Sequence, residues 1–233
     1  QRLVDKEKIS KDEKEIILQR INFLDDIQFC QADVLIEAIV EKIDIKINLF
    51  NQLAELNHSE CVFATNTSSL SVSAIAKKVQ RPERVIGMHF FNPATIMKLV
   101  EVVSTSFTNT QTTKMIVELA KAMGKTPVLC KDAPGFIVNH VARPYYIESL
   151  RLSEEGISNF EAIDRLLEAT GFKMGPFHLM DLIGNDVNYA VSCSVYDQMG
   201  NPERLKPSYI QEEKVKAGKL GKKTGEGYFA YQP

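Results

Sequence analysis

The sequence predicts an α/β domain followed by an all-α domain, and two observations carry that prediction. Up to residue 131, short apolar runs of strand length alternate with segments whose apolar residues recur at helical spacing. That is the pattern of βαβ units on a largely parallel sheet. From Gly135 onward strand signals nearly vanish, and helical segments are broken at Gly156, Gly171, Gly175-Pro176, Gly200-Asn201-Pro202 and 218–227. The predicted boundaries are 1–131 and 132–233. At 233 residues, 26.2 kDa and 44% hydrophobic, the chain is long enough to bury such a core without disulfides or metal staples.

The elements follow in order. Residues 1–5 show neither cap nor turn chemistry. Ser10-Lys11-Asp12-Glu13 is a capping box, a hydroxyl followed three residues on by a carboxylate, and opens a helix through Arg20. Residues 21–24 read as a brief strand, and 34–38 as a buried one. Ile45, Leu49, Leu53 and Leu56 mark a helix over 44–56. A strand at 62–64 runs into the polar loop Thr65-Asn66-Thr67-Ser68-Ser69, with a short helix at 71–78. Strands are predicted at 85–91, ended by Asn92-Pro93, at 99–103, and at 126–130. Between the last two lies a helix over 110–123, closed by Gly124.

Composition excludes several functions. Twenty-eight Lys and Arg against thirty Asp and Glu give a net charge of −2, without the basic excess of a nucleic-acid binder. The apolar runs fall far short of a membrane span, and no signal-peptide pattern opens the chain, so a cytoplasmic protein is the expectation. Cys30, Cys61, Cys130 and Cys193 are widely separated, with no CxxC and no Cys/His cluster, which argues against zinc and against a disulfide framework. No metal site is expected.

In an open α/β sheet the ligand sits beyond the carboxyl ends of the strands. Three polar clusters fall there: Glu41, Thr65 to Ser69, and His89 to Asn92. Each alone also reads as ordinary turn or core chemistry. Among the histidines, His58 lies in a polar loop, and His140 and His178 sit in helical patterns beside apolar residues. His89 differs, because a carboxylate, Glu101, follows on the next predicted strand. A histidine whose tautomer is fixed by a carboxylate is the usual general acid/base pair, although the spacing does not itself bring the two into contact. No GxGxxG occurs. Gly218-Lys219-Leu220-Gly221-Lys222-Lys223 imitates a phosphate loop but lacks the Ser or Thr after the lysine and a preceding strand. The sequons at Asn57 and Asn66 are chance matches.

Gly87-Met88-His89-Phe90-Phe91-Asn92-Pro93, followed by Met97-Lys98-Leu99-Val100-Glu101-Val102, resembles the signature of the 3-hydroxyacyl-CoA dehydrogenase family. So do Ile36-Glu37-Ala38-Ile39-Val40-Glu41, Ala64-Thr65-Asn66-Thr67-Ser68-Ser69-Leu70 and Lys131-Asp132-Ala133-Pro134-Gly135-Phe136-Ile137-Val138-Asn139. Near the end come Met174-Gly175-Pro176-Phe177 and Gly221-Lys222-Lys223-Thr224-Gly225-Glu226-Gly227-Tyr228. The motifs stand in family order over nearly the whole chain. The resemblance implies a Rossmann-like NAD domain and a helical domain that also forms a homodimer. It implies oxidation of a 3-hydroxyacyl-CoA, short-chain and 3-hydroxybutyryl-CoA-like, to the 3-keto compound with NAD as cofactor. His89 becomes the general base, Glu101 the group that holds its imidazole, Ser68 a hydroxyl reaching substrate and cofactor, and Asn139 the side chain on the reacting oxygen. Glu41, Lys46, Ser68, Asn92 and Lys223 match family contacts to NAD.

The departure is at the front. Family members open with a strand, a Gly-rich turn and a helix that hold the pyrophosphate, and none of these precedes Gln1. The Rossmann-like domain is thus expected to be incomplete at its N-terminus, and the chain to be a piece of a longer product. Two alternatives stand beside the dehydrogenase reading. One is a related β-hydroxyacid dehydrogenase, which resembles this plan but uses a lysine on the interdomain helix where Asn139 stands. The other is a non-catalytic relative recruited as a structural or binding protein.

Overall fold

The computed structural model describes residues 2–232. Among these residues five strands form one sheet in the order β1 (Val34–Glu37), β2 (Val62–Thr65), β3 (Val85–Phe90), β4 (Leu99–Ser104), β5 (Thr126–Lys131). The first three are parallel to one another, β4 runs antiparallel to β3, and β5 is parallel to β4. The reversal has a simple cause: the link 91–98 is too short for the crossover that a parallel neighbour needs. It is the one pairing in which the largely parallel sheet read from the sequence departs from the fold.

Alternate residues of the strands feed two cores. Leu35, Phe63, Val85 and Val103 face α3 (Ile43–Leu56) and α4 (Val72–Ala76), burying Phe50, Leu53 and Ile75. Val62, Ala64, Ile86, Met88, Val100 and Val102 face α5 (Thr110–Ala122) through Ile116 and Ala120. Covering both faces explains why β2 is buried at every position and reads as a continuous apolar run. Gly87 is required by this packing, because a Cβ there would lie 2.7 Å from Val103 Cβ and 3.1 Å from Val72 Cγ2. Pro127 is accommodated because β5 is an edge strand.

At the front, α1 (Arg2–Asp5) is a short helix that the sequence did not announce. In α2 (Lys11–Gln19) both capping-box bonds form: Glu13 N donates to Ser10 Oγ at 3.0 Å and Ser10 N to Glu13 Oε2 at 2.7 Å. The strand expected at 21–24 does not form. Asp26 instead accepts from Gln28 N at 2.9 Å and caps a 3-10 turn at Ile27–Phe29. Leu24 and Ile27 line an apolar crevice beside Leu35, Leu49 and Leu53, meeting the sheet through side chains rather than a ladder.

The second domain comprises α6 (Val138–Glu154), α7 (Phe160–Ala169), α8 (Pro176–Ile183), α9 (Asn185–Gln198) and α10 (Tyr209–Lys216). Its core gathers Tyr146, Leu150, Ile163, Phe177, Met180 and Tyr228, with Phe160, Phe177 and Tyr228 rings within about 5 Å of one another. Two buried carboxylates organise it. Asp164 accepts from Phe177 N and His178 N, both at 2.9 Å, capping α8 from α7. Asp181 accepts from Tyr228 N, Phe229 N, the Tyr231 hydroxyl and Asn185 Nδ2, pinning the C-terminal segment onto α8. Among the described residues no helix is long and apolar enough to cross a membrane.

Candidate functional site

Antiparallel pairing of β3 with β4 sets His89 directly opposite Glu101, and cross-strand partners on one face are within side-chain reach. Nδ1 of His89 lies 2.7 Å from Oε2 of Glu101, and both side chains are buried. The other carboxylate oxygen, Oε1, accepts from Ile137 N and Val138 N, each at 2.9 Å, at the start of α6. Burial pushes the Glu101 carboxyl upward. The bond from His89 and the amides of Val138 and Ile137 outweigh that and hold it below the usual carboxylate range. An ionised Glu101 makes Nδ1 the donor, which leaves Nε2 as acceptor. Nε2 is 3.2 Å from the Ser68 hydroxyl. The imidazole is flanked by the rings of Phe91, at 4.6 Å, and Phe136, at 5.8 Å. On β5, burial and the Glu101 charge push the Cys130 thiol up to about 11, so it stays protonated.

Ser68 sits in the loop after β2, and that loop is gripped from two sides. From the α/β domain, Glu41 Oε1 accepts from Thr67 Oγ1 at 2.5 Å, Ser68 N at 2.9 Å and Ser69 N at 3.2 Å. Glu41 Oε2 is 3.3 Å from the buried ammonium of Lys46, which also lies 2.5 Å from Glu37 Oε1. Thr65 Oγ1 donates to the other oxygen of Glu37 at 2.8 Å. From the helical domain, Asn139 Nδ2 on α6 donates to Ser68 O at 3.1 Å. Gln198 Nε2 and Ser194 Oγ on α9 donate to Ser69 O at 2.6 and 3.3 Å.

The structure therefore gathers His89, Glu101, Ser68, Asn139, Glu41 and Lys46 in one connected network. Lys46 enters it through two carboxylates, with its ammonium turned inward. Asn92 stands exposed just past β3, before a cis Pro93. Lys223 is engaged elsewhere, its ammonium 2.5 and 2.7 Å from the two oxygens of Asp186 on α9. The other histidines are held structurally. His58 is near Asp33, His140 Nδ1 bonds Pro134 O, and His178 pairs with Asp164 and stacks on Phe229.

Sequence reading missed Glu37, Phe136, Ser194 and Gln198 as site residues. A buried acid at the end of an apolar strand is a usable signal for Glu37. Ser194 and Gln198 are polar residues on a helix and carry none.

Comparison with known proteins agrees with the two-domain fold. Residues 1–133 match the model of the 3-hydroxyacyl-CoA dehydrogenase NAD binding domain, and 135–231 match that of the family's C-terminal domain. The chain is 46% identical over 231 residues to the 3-hydroxyadipyl-CoA dehydrogenase of Escherichia coli, covering 98% of this chain and 49% of that protein. A crystal structure of an E. coli 3-hydroxybutyryl-CoA dehydrogenase superimposes with a TM-score of 0.94 at 46% identity, over 100% of this chain and 50% of the other. That of the (S)-3-hydroxybutyryl-CoA dehydrogenase from Ralstonia eutropha gives 0.94 at 34% identity, over 100% and 82%. The chain thus spans about half the length of the E. coli proteins it matches. A Rossmann-like sheet, a following helical domain and two family models covering nearly every residue lead to one conclusion: this chain belongs to the 3-hydroxyacyl-CoA dehydrogenase family.

Proposed function

We propose that the chain carries the acid/base centre of an NAD-dependent dehydrogenase that interconverts (S)-3-hydroxyacyl-CoA and 3-ketoacyl-CoA. One observation carries the reading. A buried, tautomer-fixed imidazole presents Nε2 to the Ser68 hydroxyl, beside Asn139 of the other domain. His89 Nε2 takes the proton of the 3-hydroxyl, and the Glu101 carboxylate stabilises the imidazolium that forms. In the reverse direction Nε2 returns that proton to the keto oxygen. Ser68 lies on the path of this proton. Asn139, which spends one amide N–H on Ser68 O, has a second for the reacting oxygen.

NAD, when bound, supplies the acceptor for the hydride lost from C3. The residues fit such a cofactor: at the carboxyl ends of parallel strands, Glu41 is 39% exposed and Asn92 is open to solvent. Glu41, Asn92 and Ser68 would hold it directly, Lys46 by balancing the Glu41 charge, and Lys223 after release from Asp186. The names of the relatives support an acyl-CoA substrate with a short acyl chain.

A homodimer through the helical domain fits the apolar groove of about 350 Å³ between α6 and α7, lined by Tyr145, Leu152, Ile157, Leu166 and Leu167. A cytoplasmic location fits the bacterial relatives. The test is NADH oxidation with acetoacetyl-CoA by the full-length protein, beside its His89→Gln variant. Turnover in the first and none in the second supports the reading. Equal rates end it, and absence of turnover in both favours a recruited binding protein.

A further inference from the structure

Phe136 is the residue between the two domains whose geometry the reaction scheme leaves unused. It is a non-glycine residue at φ +51°, in the left-handed region, and it is buried. Such a backbone is unfavourable for a bulky side chain and persists where the surroundings over-determine it. Two features meet there. Its side chain joins the core of the α/β domain and lies edge-on to the His89 ring. Its backbone turn aims the next two amides, Ile137 N and Val138 N, at the same oxygen of Glu101. The neighbouring Gly135, also left-handed at φ +72°, has no room for a Cβ, which would come within 2.9 Å of His140 N. The turn is therefore held from both sides.

We propose that Phe136 is a positioning residue for the His89–Glu101 pair. Its left-handed backbone delivers the α6 amides to Glu101 Oε1, so that Oε2 is left for the imidazole. This rests on the reading of His89 and Glu101 as the acid/base pair, but its physical content is separate from turnover. The charged and titratable groups facing Glu101 are His89 from β3 and Cys130 from β5, and α6 faces it with backbone amides alone.

The experiment is a carbon-13 NMR titration of the Glu101 carboxyl in the full protein, assigned with Glu101→Gln. Phe136→Val disfavours the left-handed turn, since β-branched residues rarely adopt it. The titration midpoint is expected to rise by about one pH unit as the amide bonds are lost. Phe136→Gly keeps the turn and removes only the ring. Letting water in relieves burial, so its midpoint is expected to stay or fall. A folded Phe136→Val protein with the parent midpoint overturns the proposal, as does an equal rise in both variants. Should Phe136→Val not fold, a backbone ester replacing the Val138 amide removes one donor alone; a raised midpoint supports the proposal and an unchanged one overturns it. Because the readout needs neither cofactor nor substrate, a protein without turnover still answers the question. Where turnover is present, kcat is expected to fall about tenfold in Phe136→Val with KM little changed.

Discussion

Val138 N and His89 Nδ1 bind opposite oxygens of one carboxylate, Glu101, at 2.9 and 2.7 Å. The same group orients the imidazole and fastens the first turn of the helical domain. Its charge is therefore tied to the stability of the molecule as well as to the proposed chemistry.

The sign of that tie can be tested. The folded Glu101 carboxyl lies below its ordinary 4.5, despite burial, through the bonds from His89, Val138 and Ile137. Its ionised form stabilises the fold above that value, and the contribution is lost as pH falls through the folded value. In Glu101→Gln, which is neutral throughout, the stability deficit against the parent is expected to be full near neutrality and to narrow below 4.5. Urea midpoints across that window check this; a deficit independent of pH counts against it.

Catalytic losses are expected to be graded. His89→Gln removes the proposed base and should lower kcat by about 10²- to 10⁴-fold, with little change in NADH affinity. Glu101→Gln should cost less and displace the pH–rate profile. A His89→Gln enzyme with near-parental kcat would remove His89 from the role.

Asn139→Ala loses the bond to Ser68 O, an interaction worth about 1 kcal/mol to the fold. Turnover is expected to suffer more than thermal stability. A large drop in Tm with kcat preserved in the folded fraction would mark Asn139 as structural.

Asp181→Asn should destabilise the helical domain without touching the cleft. The buried carboxylate accepts four bonds, and an amide leaves a donor facing donors, at a cost of about 3 kcal/mol. Chemical denaturation reads this directly.

The legible parts of the fold were local. The capping box at Ser10, the helical spacing from Ile45 to Leu56 and the Gly124 stop each became the element expected, because each signal is contained in one continuous stretch of chain. Residues 21–24 misled, since a short run with three apolar residues, Ile21, Phe23 and Leu24, states no partner, and a strand exists only where another strand receives it. The His89–Glu101 contact was suggested by residue type but decided by an antiparallel register. Contacts that join the domains, such as Gln198 to Ser69, depend on how two units dock and leave no periodic trace.

That docking has a consequence for the site itself. The carbonyls of Ser68 and Ser69 and one oxygen of Glu101 are all bonded to the helical domain. Any swing that parts the two halves must therefore strip donors from both serine carbonyls and from one oxygen of the carboxylate. The contacts of His89 with Glu101 and Ser68 lie within the first domain, so parting the halves would leave those partners in place and take away only the bracing that the second domain lends them.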